Sequence, residues 1–345
     1  MLKLKVLLYF ENINLIKQSG IGRAFEHQKK ALELAGIQYT TDPEDTFDIA
    51  HVNTYYRQSR KVIKYCKKNN IPVIVHAHST IEDFQNSFRF WSVIKRAFDK
   101  NLQKTYSLPD LLITPTPYSK KLLEKYSFVK CPIKAISNGI DLNEYQRQEI
   151  SPERIIKLKE KYGIKKDDKL IMGIGWMFER KGILDFFEVA KLMPNHKFIW
   201  FGSKSNILLP GKITKAIENK PTNVILPGFV PKEEIIEYLQ ISSCFFFPSY
   251  EETEGIVSLE ALALKTPLIV RNIGVFDYLE DKIDCLKGTS INEFVELINT
   301  CIATDNTIMV NNGYNKVKQN SIENVSLLLN DTYNELLNKR AVKKS

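Results

Sequence analysis

The chain has 345 residues, 43% of them hydrophobic and 26% charged, with a formal net charge of +9. That composition excludes a disordered or fibrous chain, and the length suits two domains of roughly 150 residues, each with its own core. The five cysteines, with no C-x-x-C pair among them, speak against a disulfide or zinc framework, and no apolar run approaches membrane-spanning length.

Charge is unevenly spread. Residues 1–150 hold 23 Lys+Arg against 15 Asp+Glu, and the remainder holds 26 against 25. A basic half of this kind is either a solvated face or a contact for anionic lipid or nucleic acid, and no nucleic-acid motif accompanies it. The run Val6 to Phe10, after Lys3 and Lys5, is too short for a signal peptide or a spanning helix. Any membrane contact is expected to be peripheral.

Residues 4–10 read as a first strand. Gln18-Ser19-Gly20-Ile21-Gly22-Arg23 then leads into a helical pattern that ends near Gly36. A G-x-G here either brings backbone close to a ligand or makes a tight turn for packing, and the third glycine of the dinucleotide fingerprint is missing. That gap weakens a dehydrogenase reading. Strands near 48–52 and 72–76, with a helix near 57–70 between them, follow the alternation of a parallel sheet. His76 and His78 stand two apart without a third ligand at suitable spacing, so no metal is expected.

From 84 to 104, Phe84, Phe88, Trp91, Phe98 and Leu102 fall on one helical stripe, interrupted by Lys95 and ringed by Arg89, Arg96, Lys100 and Lys104. Such a helix packs on its own domain or lies in a membrane interface with its cations at the head groups. Taken with the basic amino-terminal half, the interfacial reading is the working one. Another strand spans 109–114, a helix starts at Pro117, and Ser137-Asn138-Gly139-Ile140-Asp141 gives a turn signal. The chain becomes polar between Leu142 and Ile164, where the domain boundary is placed.

The second domain opens with a strand, Leu170 to Ile174, and continues through Gly175-Trp176 to Arg180-Lys181-Gly182. A lysine before glycine at a helix start suits a phosphate. Lys197 to Phe201 with Gly202, and Gly228-Phe229-Val230, read as strand ends with turns. Cys244 to Phe247 is a short buried strand, and an Ala/Leu-rich helix follows. Glu252 therefore lies in a strand-to-helix loop, and Glu260 lies on the helix. Helical patterns run from about Ile291 to Val317, and Ser321 to Lys339 forms a last helix.

Glu252 and Glu260, followed by Ala261-Leu262-Ala263, resemble the E-x7-E motif of retaining nucleotide-sugar-dependent glycosyltransferases of family 4. Partner motifs occur in order. His78 with Glu82-Asp83 resembles the lipid-acceptor members, N-G-I-D at 138–141 closes the first domain, and Lys181-Gly182 matches G-R-x4-K-G with Trp176 in the arginine's place. Glu254 is a second departure, and the Glu-Thr-Glu-Gly variant looks like a branch acting on glycolipids.

The resemblance implies an α/β GT-B fold of two doubly wound, Rossmann-like domains with an interdomain cleft. Residues 1–150 would bind acceptor and face the membrane, residues 151–320 would bind the nucleotide sugar, and residues 321–345 would cross back. It implies catalytic roles for Glu252 on the donor sugar, His78 near the reacting sugar, and Lys181 on the diphosphate, with Arg180 supplying the displaced guanidinium. Glu260 would hold the ribose. Gly20, Gly22, Gly175, Gly202, Phe229, Val230, Gly255 and Ile256 would line the donor site, with Arg23 a nearby anion contact.

The expected reaction is transfer of a hexose from UDP-galactose or UDP-glucose to a glycolipid such as monoglucosyl-diacylglycerol, as in lipoteichoic-acid anchor synthesis. Neither metal nor other cofactor is expected, and the expected location is the cytoplasmic membrane face, held there by anionic lipid. The alternatives are a soluble member acting on a polysaccharide or protein, and a non-catalytic glycosyltransferase-like subunit, which Trp176 keeps open.

Overall fold

The computed structural model describes residues 4–12, 20–82, 91–203 and 210–344. Among these, two six-stranded sheets organise the chain, and every strand pairing is parallel. The first contains β1 (Lys5–Tyr9), β2 (Gln38–Thr40), β3 (Ile49–Val52), β4 (Val73–His76), β5 (Leu111–Thr114) and β6 (Ile133–Ala135), in the order β2-β1-β3-β4-β5-β6. The second contains β7 (Leu170–Ile174), β8 (Lys197–Phe201), β9 (Val224–Gly228), β10 (Cys244–Phe247), β11 (Leu268–Arg271) and β12 (Leu286–Gly288), in the order β12-β11-β10-β7-β8-β9. Each order reverses once, between β1 and β3 and between β7 and β10. Those reversals are the crevices where doubly wound sheets take ligands.

The sequence explains the layering. β3, β4, β5, β7, β10 and β11 are buried at every position, as strands covered by helices on both faces must be. The helices, in chain order, are α1 (Gly20–Leu34), α2 (Arg57–Lys68), α3 (Trp91–Tyr106), α4 (Pro117–Glu124), α5 (Pro152–Lys161), α6 (Ile183–Leu192), α7 (Gly211–Glu218), α8 (Lys232–Ile241), α9 (Ile256–Ala263), α10 (Ile291–Ala303), α11 (Thr307–Val317) and α12 (Ile322–Lys344). Starts are chemically marked. Thr116 forms a capping box before Pro117, Ser151 caps α5 with Pro152 in its first turn, and Ser290 and Glu293 make a capping box for α10.

Two expectations change. The polar stretch 142–164 contains α5, whose buried Leu158 joins the second core while its remaining surface is charged or half-buried. A helix with so narrow an apolar face reads as linker in composition. The stripe proposed over 84–104 begins, within the described residues, at Trp91; Phe84, Phe88 and Arg89 lie outside them. Of the rest, Leu102 is fully buried and Phe98 packs beside it in the first core, so these two cover their own sheet. Arg96, Lys100 and Lys104 are exposed on the opposite side.

The last helix belongs spatially to the first sheet. Ile322, Val325, Leu329 and Tyr333 recur at helical spacing and are buried with Val6, Leu8, Phe25 and Ile74. The core of the amino-terminal half is thus closed by the carboxyl-terminal end. Leu329→Ala is expected to remove about 2–5 kcal/mol of stability, read as a lowered urea midpoint.

Candidate active site

The two loops that leave β7 and β10 are the centre of the site. After β7 the chain turns through Gly175, enters a 3-10 turn at Glu179–Lys181, and starts α6 at Gly182 with φ 74°. A Cβ on Gly182 would lie 2.4 Å from the carbonyl oxygen of Pro248, which begins the loop after β10. No side chain fits there. Only because glycine takes this left-handed position can the two loops touch.

That approach places Lys181 Nζ 2.5 Å from Glu252 Oε1 and Arg180 Nη1 3.8 Å from Glu252 Oε2. Arg180 also donates to the Glu251 carbonyl at 2.8 Å, and the Tyr250 N–H donates to the Arg180 carbonyl at 2.8 Å. Burial pushes the Glu252 carboxyl up, yet the charges of Lys181 and Arg180 outweigh it and hold the group below its usual range. Glu252 is an ionised, buried acceptor. Arg271, at the end of β11, clamps the loop from behind. Its guanidinium lies over the Tyr250 ring at 3.8 Å and donates to the Pro248 carbonyl at 3.1 Å.

Gly255, with φ 75°, starts α9, and an added Cβ would lie 3.1 Å from the Phe247 ring. Ile256 follows, buried. One turn on, Glu260 is fully buried and meets Arg23 of α1 in an ion pair that joins the two sheets. The Tyr145 hydroxyl donates to Glu260 Oε1 at 3.0 Å, while Oε2 has no partner among the described residues. Arg23, expected beside an anion, is thus on Glu260 in this structure. Gly20 and Gly22 lie in the first turn of α1, and a Cβ on Gly20 would meet nothing within 4 Å.

The neighbouring strand ends complete the rim. Gly175 has φ 146° and Gly202 φ 126°, and a Cβ on Gly202 would stand 2.1 Å from the Gly175 carbonyl oxygen. Beyond β9, Phe229 is 55% exposed and Val230 packs partly on the core. Trp176, at the position of the expected arginine, is 37% exposed and stacks with Phe178. The guanidinium that does reach Glu252 comes from Arg180.

The first sheet supplies the facing wall. His78, just past β4, is buried, with Nε2 2.8 Å from Asn53 Oδ1. Burial pushes its pKa down to about 3, so it is a neutral hydrogen-bonding ring at physiological pH. The Thr253 hydroxyl donates to the His78 carbonyl at 3.2 Å, and the Thr116 hydroxyl donates to the Thr253 carbonyl at 2.8 Å. The Glu252 loop therefore rests against the carboxyl end of the first sheet. Lys181 and Arg180 meet Glu252, whose loop rests on the His78 backbone and runs through Gly255 and Ile256 to Glu260 on α9, while Gly202, Phe229 and Val230 follow from the ends of β8 and β9.

Glu254 was visible in sequence only as a departure from pattern. In the structure it is a latch between the halves: the Asn138 side chain donates to Oε2 at 2.6 Å, its backbone N–H donates to the same oxygen at 3.2 Å, and the Ser137 hydroxyl donates to Oε1. Burial nevertheless wins over these three donors and raises its pKa to about 7. Between its usual 4.5 and about 7 the folded chain holds a proton that the unfolded chain has lost. Stability contributed here is present at low pH and falls as pH rises through that window. Glu254→Gln is expected to flatten the fall, measured as urea midpoints at about pH 5 and about pH 8.

Among the described residues no group of three or more His, Cys, Asp or Glu side chains could hold a metal ion, and no helix is long and apolar enough to cross a membrane. Residues 31–144 match the family described as Glycosyltransferase Family 4, and residues 154–321 match Glycosyl transferases group 1. A processive diacylglycerol alpha-glucosyltransferase of Acholeplasma laidlawii is 48% identical over 97% of this chain and 99% of its own length. An alpha-galactosylglucosyldiacylglycerol synthase of Streptococcus pneumoniae is 24% identical over 66% of this chain and 61% of its own. In fold, the chain is similar to Anabaena Alr3699/HepE solved with UDP and glucose, with TM-score 0.75, 17% identity, and 96% and 100% of the two chains covered. A sucrose-phosphate synthase from Thermosynechococcus elongatus gives TM-score 0.71 at 18% identity, covering 85% of this chain and 74% of that one. With this likeness and the geometry above it, the chain belongs to the GT-B glycosyltransferases of the group 1 and family 4 type, and it is a hexosyltransferase.

Proposed function

We propose that the chain moves a hexose from UDP-glucose or UDP-galactose, with retention of the α configuration, to a membrane glycolipid such as monoglucosyl-diacylglycerol, as an anchor for lipoteichoic acid would require. The observation that carries this reading is the pairing of half-buried Lys181 and Arg180 with buried Glu252 at the β7/β10 reversal. Cations there would meet the departing diphosphate, where the largest charge develops, and they do so without a metal. Glu252 would accept hydrogen bonds from donor-sugar hydroxyls, and Glu260, with one oxygen unpartnered among the described residues, from the ribose. The 48%-identical relative, by its name an alpha-glucosyltransferase on diacylglycerol, weights the donor towards glucose and the product towards the α linkage.

In the step we favour, the acceptor oxygen attacks the anomeric carbon on the face from which UDP leaves. The C–O bond to the phosphate breaks, the new glycosidic bond forms, and the acceptor proton passes to the leaving phosphate oxygen. His78, neutral and turned towards Asn53, would serve as a hydrogen-bond partner rather than as the base. Lipid access is supported by charge. Arg57, Lys61, Lys64 and Lys68 on α2 and Arg96, Lys100 and Lys104 on α3 are exposed, and they suit a cytoplasmic surface of anionic lipid.

Transfer from radiolabelled UDP-glucose and UDP-galactose, offered separately with monoglucosyl-diacylglycerol in anionic vesicles, tests the reading. Label is expected in a slower-migrating glycolipid and not with Glu252→Ala; no labelled lipid with either donor would refute it. Lys181→Ala is expected to lower turnover at least about tenfold, and an unchanged rate would remove Lys181 from the mechanism. Changing Arg96, Lys100 and Lys104 together to Ser is expected to weaken sedimentation with anionic vesicles at low salt, with the difference fading as salt rises.

A further inference from the structure

One short element of the first half reaches the loop that carries Glu252 at two points. Thr116 caps α4 and Tyr118 stands in its first turn, just past the carboxyl end of β5. The Thr116 hydroxyl donates to the Thr253 carbonyl at 2.8 Å, and the Tyr118 hydroxyl donates to Glu251 Oε2 at 3.0 Å. Glu251 and Thr253 are the chain neighbours of Glu252, so the two contacts bracket it. The second half holds the same loop through Arg180, whose guanidinium donates to the Glu251 carbonyl at 2.8 Å and lies 3.8 Å from Glu252 Oε2. At Glu251 the halves therefore meet: its side chain takes the first half's tyrosine, and its carbonyl takes the second half's arginine.

The bracket is built from rigid parts. Pro117 opens α4, and the capping box of Thr116 and Ser119 fixes its first turn. Thr116 Oγ1 accepts from the Ser119 N–H at 3.1 Å, which leaves its own proton for the Thr253 carbonyl. The Tyr118 ring is seated on Gly274, the first residue of the short turn after β11, where an added Cβ would stand 2.6 Å from both Cδ2 and Cε2. Gly274 does not take the left-handed backbone that would itself require glycine. Its missing side chain serves the ring. Tyr118 also packs, partly buried, on the core of the second half.

We propose that Thr116 and Tyr118 are positioning residues for hexosyl transfer: by holding Thr253 and Glu251 from the first half, they set Glu252 and Arg180 in register with the donor, and the site is complete only when the two halves are closed on each other. Neither side chain touches the reacting atoms. Loss of the bracket is felt in turnover, because a displacement of about 1 Å at a positioned group costs up to about a hundredfold in rate. UDP still binds, because the cations and strand ends that meet it belong to the second half. The inference rests on the reading that Glu252 and Arg180 act on the sugar donor.

The test separates turnover from donor affinity. Turnover is followed as UDP release from UDP-glucose or UDP-galactose, whichever the parent uses, with monoglucosyl-diacylglycerol in anionic vesicles, so it is read whether the hexose passes to lipid or to water. Tyr118→Phe, which keeps the ring and loses the hydroxyl, is expected to lower kcat about tenfold, with UDP affinity by calorimetry within about twofold of the parent. Thr116→Val should behave likewise, and Thr116→Ser, which keeps the hydroxyl, should restore most of the rate. Gly274→Ala lies in the other half and leaves both hydroxyls in place; its methyl should lift the ring and reproduce the Tyr118→Phe loss. Combined with Tyr118→Ala, which removes the ring, it should add nothing further. Gly274→Ala also keeps the proposal falsifiable where a Tyr118 or Thr116 variant fails to fold. A kcat within about twofold of the parent in folded Tyr118→Phe or Gly274→Ala overturns the proposal. So does UDP affinity that weakens in step with kcat, which a general loosening of the second half would produce. Glu252→Ala separates this inference from the function on which it rests: if that variant keeps the parent rate, the reading of the site fails, and if it is inactive while Tyr118→Phe is normal, only the bracket fails.

Discussion

Everything at the site depends on the contact between the loops that leave β7 and β10. Buried Glu252 stays ionised because two half-buried cations stand close to it, since alone it would carry an uncompensated desolvation cost. The closeness of Lys181 and Glu252 is possible because Gly182 has no side chain to collide with the Pro248 carbonyl. One backbone position therefore decides whether the charge cluster exists. Arg271, stacked on Tyr250 and bonded to Pro248, holds the same loop from the far side.

Among the described residues, polar contacts and some packing join the two sheets at this centre. Arg23 with Glu260, Glu254 with Ser137 and Asn138, and Thr253 with His78 and Thr116 all join the β10–α9 segment to the first half of the chain. Polar contacts of this kind can be exchanged for contacts with a ligand, which apolar packing cannot. In addition α12 crosses back to complete the first core, and its Tyr333 reaches His51. The last helix thus contributes to the sheet against which the β10 loop rests.

The histidines show why ionisation state matters to the chemistry. Deep burial with only neutral partners keeps His51, His76 and His78 uncharged, so they act by directed hydrogen bonds and not as acids or bases near neutral pH. Glu252, buried as deeply, stays charged because two cations stand beside it. Glu254, with donors but no cation, is pushed up to about 7. Three outcomes follow from equal burial and different neighbours.

By itself the sequence determined the alternation of strands and helices, the parallel sheets, and the glutamate pair with its lysine, because apolar runs, capping residues and glycines act over a few residues. Glu252, Lys181 and Gly182 were legible for the same reason: each belongs to a short strand-to-helix turn with its own signature. Tertiary structure decided what those residues meet. Arg23 on Glu260, Glu254 on Asn138, and Tyr118 on Glu251 join positions far apart in the chain, and no local pattern records such a distance. It also decided that Phe98 and Leu102 face their own sheet, and that the polar stretch after 150 carries a helix. An amphipathic face shows that something must cover it, and only the assembled fold says what does.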